Sequence, residues 1–125
     1  MDLIQLQRWL DDYTRASVVH DAASEAKLFS SDARYWTSPW DEPLSGREAI
    51  LAFWAKEMGG PQLEDAWCRA VAVGPEVAVA EWWGRYEPEP GEDATEYSSL
   101  FTLAFDEDGR CSEFKEWYLA KPKSR

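Results

Sequence analysis

Glu116 is the residue of this sequence whose position most favours chemistry. It lies in the last long segment, where Phe114, Glu116 and Tyr118 alternate with other residues and so share one face of a predicted strand. A carboxyl group on an apolar wall loses hydration, which raises its pKa and suits it to act as a general acid or base. The alternative is structural: a carboxyl group hydrogen-bonded to a buried tryptophan indole or tyrosine hydroxyl.

Tyr13 and His20 lie on one face of a predicted N-terminal helix, together with Leu6, Leu10 and Ser17. The Tyr13 hydroxyl could donate a hydrogen bond to a ligand oxygen and so stabilise a developing oxyanion. Alternatively, Tyr13 is a core side chain whose hydroxyl is satisfied within the protein. His20, the single histidine, is either part of a site, a helix cap or a buried neutral side chain.

The sequence is rich in aromatic residues, with 8 tryptophans in 125 residues. They either fill an ordinary core or line an apolar cavity, because the wide end of a curled sheet is hard to fill with side chains alone. The predicted ligand-binding residues are Trp36, Trp54, Trp82, Tyr97, Phe101, Phe114, Tyr118 and His20. The expected ligand is a small apolar or aromatic molecule.

The first half of the chain predicts three helices and one strand that would position these residues. The first helix begins at Asp2 and ends between Ser17 and His20, and Asp21 caps a short second helix that runs on to Phe29. A strand follows at residues 33–37, where Tyr35 and Trp36 must point to opposite faces. Ser45 and Glu48 then form a capping box for a third helix, which residues 59–61 (Gly-Gly-Pro) terminate.

The second half predicts four long antiparallel strands, bounded by turn residues. They cover residues 63–73, 77–87, 95–105 and 110–119. Strands of about ten residues twist strongly and curl around whatever they cover. The order helix, helix, strand, helix, four strands predicts an α+β layer architecture in one domain, residues 1–125. Leu100 and Trp117 fall on the expected outer face, which predicts a homodimer through that face.

Charge and cysteine content exclude several classes of partner. With 24 acidic and 13 basic residues, the net charge of -11 would repel nucleic acid. No apolar stretch is long enough for a membrane span or a signal peptide, so we expect a cytoplasmic protein with no membrane partner. Cys68 and Cys111 lack metal-binding or redox spacing and are expected to be buried thiols, and nothing indicates a metal or organic cofactor.

The sequence resembles the nuclear transport factor 2-like superfamily, particularly its SnoaL-like and ketosteroid isomerase-like branches. The residues that carry the resemblance are 28–36 (LFSSDARYW), 43–54 (PLSGREAILAFW) and the hairpin 105–118 (FDEDGRCSEFKEWY). The resemblance implies a cone-shaped α+β barrel, in which a curved antiparallel sheet wraps around the N-terminal helices and a third helix. It leaves the chemistry open, since the superfamily includes enzymes and non-catalytic binders.

The catalytic positions of the isomerase branch are only partly present. Its oxyanion-hole tyrosine corresponds to Tyr13, but its general base falls near Thr37 or Ser38 and its second aspartate near Phe101. Ketosteroid-type isomerisation is therefore rejected, and no inner-face aspartate is seen to orient His20 as in the dehydratase-like branch. Two hypotheses remain: acid–base catalysis on a small apolar or aromatic molecule by Glu116 and Tyr13, or a non-catalytic ligand carrier or dimeric interaction module.

Overall fold

Three helices pack against one side of a six-stranded sheet in the computed structural model, which describes residues 1–122. The helices are α1 (Leu3–Val18), α2 (Ala22–Ala26) and α3 (Arg47–Glu57). The strands are β1 (Phe29–Trp36), β2 (Leu44–Ser45), β3 (Leu63–Val73), β4 (Ala78–Tyr86), β5 (Thr95–Phe105) and β6 (Cys111–Ala120). The predicted α+β class is confirmed, and the four long strands lie where the sequence placed them.

The sheet is curved, mixed and unclosed rather than wholly antiparallel. Its strand order is β2-β1-β6-β5-β4-β3, and β1 runs parallel to β6 while all other neighbours are antiparallel. After α3 the chain continues at β3, the far edge of the sheet, and returns strand by strand through β4 and β5 to β6, which lies parallel beside β1. Inward-facing side chains of these strands and of α1 form the core.

The first helix follows its predicted pattern closely. Asp2 caps it in a reciprocal capping box with Gln5, which satisfies two otherwise free N–H groups. Leu6, Leu10 and Tyr13 are buried, as predicted, whereas Leu3 in the first turn is exposed. Trp9 is also buried and donates its indole N–H to the carbonyl oxygen of Leu28 at 3.1 Å.

Two element boundaries in the first half differ from the prediction. The second helix ends at Ala26, and Phe29 already belongs to β1, where it pairs with Cys111. The register of β1 against β6 shifts between Phe29 and Arg34, and this irregularity allows the polar residues 30–32 to be part of the strand. Pairing with β6 therefore extends β1 through a segment whose composition indicated a break.

The predicted cap of the third helix is wrong. Ser45 pairs with Arg34 in the short strand β2, so its backbone is committed to the sheet. The N-cap is Gly46, which has a φ of 92°, and no side chain caps the helix. The predicted stop is confirmed, since α3 ends at Glu57 just before the two glycines.

Both cysteine thiols are buried and free, as predicted. Burial raises the pKa of the Cys68 thiol to about 12, which leaves the thiol protonated and unreactive at neutral pH. Among the described residues, no helix is long and apolar enough to cross a membrane.

Candidate functional site

A cavity of about 500 Å³ opens between α1, the C-terminal end of α3 and the inner faces of β4, β5 and β6. Eight of the ten predicted site residues line it. They are Tyr13, His20, Trp54, Trp82, Tyr97, Phe101, Glu116 and Tyr118. The two candidates for catalysis, Glu116 and Tyr13, therefore face one shared space although they lie 103 positions apart in the sequence.

Glu116 is half-buried on β6, on the same face as the fully buried Phe114. The Ser99 hydroxyl, on β5, donates a hydrogen bond to Glu116 Oε2 at 3.0 Å. Burial raises the pKa of Glu116 to about 7, against the opposing effect of the Ser99 hydrogen bond. Near neutral pH the carboxyl group therefore exists in both protonation states, as a group that both takes and returns a proton requires.

The Tyr13 hydroxyl lies 3.2 Å from the hydroxyl of Tyr35, a fully buried residue of β1. Burial raises the pKa of both phenols well above 10, and the nearby carboxyl groups of Glu116 and Glu25 raise them further. Both hydroxyls therefore stay neutral. Because the pair shares one hydrogen bond, one of its two protons remains available to a ligand oxygen.

Trp54 adds a further polar group to the wall of the cavity. Its indole Nε1 is buried and has no hydrogen-bond partner among the described residues. The ring stands edge-on to Tyr13 and Tyr35, with centroid distances of 6.2 and 6.0 Å. An unpartnered N–H at this position is a potential donor to a bound molecule.

His20 lies at the edge of the cavity, where it is exposed. Its φ of 60° places it in the left-handed region just after α1, where it makes the turn towards Asp21. This placement matches neither a buried neutral side chain nor a base held by a carboxylate.

Two predicted ligand-binding residues do not line the cavity. Trp36 points to the opposite face of the sheet, where Lys115 and Arg34 lie 4.7 and 5.1 Å from its ring centroid. Phe114 is fully buried beneath the cavity and stacks on Tyr35 at a centroid distance of 4.5 Å. The prediction for Trp36 failed because Tyr35 takes the inner face of β1, and neighbouring side chains of a strand alternate.

Sequence reasoning missed Glu25, the most deeply buried carboxyl group of the described chain. The Ser17 hydroxyl contacts both Glu25 Oε1 and, at 3.0 Å, the carbonyl oxygen of Tyr13. Glu25 Oε2 is buried and has no hydrogen-bond partner within residues 1–122. Burial raises the pKa of Glu25 to about 8. A serine has one hydroxyl proton, so both contacts are hydrogen bonds together only when Glu25 is protonated and donates to Ser17.

The structure also separates Trp82 from Trp83, which the sequence left open. Trp82 is buried on the inner face of β4 and lines the cavity. Trp83 faces outward and donates its indole N–H to Glu96 Oε2 at 3.2 Å. Within residues 1–122, no three His, Cys, Asp or Glu side chains cluster where they could hold a metal ion.

A curved sheet closed on one side by helices around an aromatic cavity defines an α+β cone of the nuclear transport factor 2-like class. The chain belongs to the SnoaL-like domain family within that class, since the family model matches residues 7–114. The predicted resemblance is thereby confirmed. Domains of this family bind small molecules and often form dimers.

Solved structures support the same fold. The crystal structure of a putative isomerase from Bacillus subtilis superimposes with a TM-score of 0.80 over 95% of this chain and 90% of that chain, at 13% sequence identity. In all, 354 chains of solved structures match, so the fold is too widely shared to select one function. No protein with a curated description matches the chain.

Proposed function

We propose that the cavity binds a small apolar or aromatic molecule and that Glu116 and Tyr13 carry out acid–base chemistry on it. The observation that carries this proposal is that both side chains line one cavity, with the pKa of Glu116 raised to about 7. A volume of about 500 Å³ suits a small ligand. The apolar walls formed by Trp54, Trp82 and Phe101 suit an apolar or aromatic body.

The reaction that fits these groups is proton transfer at a carbon next to a carbonyl group. The carbonyl oxygen of the substrate accepts a hydrogen bond from Tyr13, and Glu116 removes a proton from the neighbouring carbon. The electrons of the broken C–H bond move towards the oxygen, where the Tyr13 hydroxyl stabilises the developing negative charge. The protonated Glu116 then returns a proton to the carbon from which it was removed, so the reaction is proton exchange and not a ketosteroid-type isomerisation.

Ser99 supports this role of Glu116. Its hydroxyl bonds Oε2 of Glu116, so it orients the carboxyl group and leaves Oε1 to face a substrate. The Tyr35 hydroxyl holds Tyr13 in the same way, from the buried side of the cavity. Each proposed catalytic group therefore has a partner that restricts its rotation, and such positioning is a large part of catalysis.

The test is exchange of the protons next to the carbonyl group of phenylacetone in D₂O, followed by NMR. We expect the protein to accelerate exchange above buffer, and the rate to rise with pH through about 7 as Glu116 ionises. Glu116→Gln should reduce the enzymatic exchange by at least about 100-fold. The matched control is Glu113→Gln, on the outer face of the same strand beside Arg34. If Glu116→Gln catalyses exchange at the wild-type rate, Glu116 is not the group that removes the proton.

A non-catalytic ligand carrier is the second candidate. It is favoured by Phe101, which lies in the cavity where the isomerase branch has an aspartate, and by Thr37 and Ser38, which instead donate hydrogen bonds to Asp41. A carrier would bind phenylacetone or a similar apolar probe without accelerating exchange. Binding and exchange measured on one sample distinguish the two functions.

We also propose that two copies of the chain associate through the outer face of the sheet. Large apolar side chains are exposed there, among them Trp67 (47%), Leu100 (48%) and Trp117 (42%). The same face carries the ion pairs Arg69–Glu81 and Arg85–Glu64. Charges of both signs beside apolar groups allow one surface to be complementary to itself, as a two-fold dimer requires.

A further inference from the structure

Three tyrosines on neighbouring strands form a box at the open end of the cavity. They are Tyr86 of β4, Tyr97 of β5 and Tyr118 of β6, and all three line the cavity. The rings of Tyr86 and Tyr97 are 5.9 Å apart and meet at 84°, and those of Tyr97 and Tyr118 are 5.7 Å apart and meet at 83°. The ring of Tyr97 therefore lies between the rings of Tyr86 and Tyr118 and is nearly perpendicular to both.

The box lies at the mouth of the cavity rather than at its base. Tyr118 is half exposed, and Tyr86 and Tyr97 are partly buried. Phe101 and Tyr13, which line the same cavity, are almost completely buried. A ligand that reached Phe101 with its apolar end would therefore leave its other end among the three tyrosines.

Several glutamates line the same cavity as this box. Glu57, Glu87, Glu89 and Glu116 line the cavity, against Lys56 and His20 as its basic residues. Burial, followed by the charges of Glu116 and Glu57, raises the pKa of Tyr86 to about 12. The tyrosine rings thus lie in a negative potential, to which the net charge of -11 adds.

Among residues 1–122, no Lys or Arg side chain makes a cation–π contact with these three rings. Within the part of the chain that the structure describes, the cation–π contacts lie on the outer face, where Arg34 and Lys115 contact Trp36 and Arg85 contacts Trp83. Perpendicular aromatic rings in a negative potential attract a poorly hydrated cation through their electron-rich faces.

We propose that the ligand of this cavity is an organic cation, a protonated amine or quaternary ammonium group on a small apolar body, held by Tyr86, Tyr97 and Tyr118. The proposal rests on the proposed function, because it names the class of molecule that the cavity binds. The cationic group lies in the tyrosine box near the carboxylates, and the apolar body lies deeper, against Trp82 and Phe101.

The experiment compares benzyltrimethylammonium with neopentylbenzene, its uncharged analogue of the same shape, by titration calorimetry or tryptophan fluorescence. We expect the cation to bind at least about 10-fold more tightly, since cation–π contacts and carboxylates act on the charge alone. Equal or tighter binding of neopentylbenzene overturns the organic-cation proposal and leaves the ligand-binding cavity intact. Failure of both probes to bind overturns the ligand-binding function as well.

Variants locate the preference within the box. Tyr97→Leu removes the central ring and should abolish the preference for the cation while neopentylbenzene still binds. Tyr97→Phe keeps the ring and should keep the preference, which separates the ring from its hydroxyl group. Glu87→Gln should weaken binding of benzyltrimethylammonium several-fold. Glu107→Gln, which removes the same charge at the far end of β5, should leave its binding unchanged. An unchanged preference in Tyr97→Leu overturns the assignment to this box.

Discussion

Two carboxyl groups, Glu25 and Glu116, hold their protons to higher pH than exposed carboxyl groups do. Burial is the main cause for both, and each has a serine hydroxyl as its hydrogen-bond partner. Glu116 faces the cavity, whereas Glu25 is fully buried behind Ser17. Glu116 can therefore exchange protons with a ligand, while Glu25 affects mainly the stability of the fold.

Glu25 makes the stability of the protein depend on pH. Its pKa is about 8 in the folded state and 4.5 ordinarily, so between these values the folded state binds more protons than the unfolded state. The free energy of unfolding therefore decreases as pH rises from 4.5 towards 8. Glu25→Gln, which keeps a donor to Ser17 without a charge, should gain about 3–4 kcal/mol over wild type between pH 5 and 8.

Urea denaturation at a series of pH values measures this difference. The control is Glu107→Gln, which removes a carboxyl group from the exposed hairpin turn. A constant difference between Glu25→Gln and wild type would falsify the buried-carboxyl explanation.

Tyr13 and Tyr35 should contribute unequally to the proposed exchange reaction. Tyr13 lines the cavity, whereas Tyr35 reaches a ligand only through Tyr13. Tyr13→Phe should lower the rate of phenylacetone exchange by about 100-fold, as loss of an oxyanion-stabilising donor does. Tyr35→Phe should lower it less and leave probe binding unchanged. Equal losses in both variants would contradict the assignment of the donor to Tyr13.

At the scale of elements, strict alternation along the long strands builds the cavity wall. On β4, Trp82 and Gly84 share the inner face, and the six-membered ring of the Trp82 indole packs against Gly84. A Cβ at position 84 would lie 2.1 Å from Cη2 of Trp82, far inside van der Waals contact. The glycine is therefore what allows Trp82 to form this part of the wall.

Gly84→Ala should consequently destabilise the protein by about 1–3 kcal/mol, because Trp82 must leave its position. The variant should also bind apolar probes more weakly. Gly59→Ala, where the nearest atom lies 3.4 Å from the added Cβ, is the control and should change stability little. Urea denaturation and tryptophan emission are measured for both variants. If Gly84→Ala has the same free energy of unfolding as wild type, the Trp82 indole can move without destabilising the protein.

At the scale of the whole molecule, the two faces of the sheet differ in what covers them. Helices cover the inner face and leave the cavity at one end, while the outer face keeps Trp67, Leu100 and Trp117 exposed. Dimerisation through the outer face would bury these side chains without obstructing the cavity. Two independent sites per dimer are the expected result.

Leu100→Glu should convert the proposed dimer into a monomer, because it places a charge opposite Trp117 in the middle of the apolar surface. Ile4→Glu is the control, since Ile4 is exposed on α1 away from the sheet. Sedimentation velocity measures both variants. A wild-type chain that sediments as a monomer at high protein concentration contradicts the dimer proposal.

The sequence by itself determined the order of the helices and of all strands except the short β2, the four long strands, and the inner face that carries Phe101, Phe114 and Glu116. These features depend on local periodicity and on turn residues, which involve only residues close together in the sequence. The same information paired Glu116 with Tyr13 as candidates, because each lies on a recognisable apolar face. Alternation also required Tyr35 and Trp36 to face opposite sides, but it did not decide which of them faces the helices, and the prediction of Trp36 as a cavity residue was wrong.

Only the tertiary structure decided the features that depend on contacts between distant segments. Pairing with β1 moved Ser45 into a strand and made Gly46 the start of α3, although the local pattern favoured a serine cap. The burial of Glu25 results from packing among the helices, because nothing adjacent to it in sequence marks it as buried. The perpendicular tyrosine box likewise arises from the registers of β4, β5 and β6, which no single strand encodes.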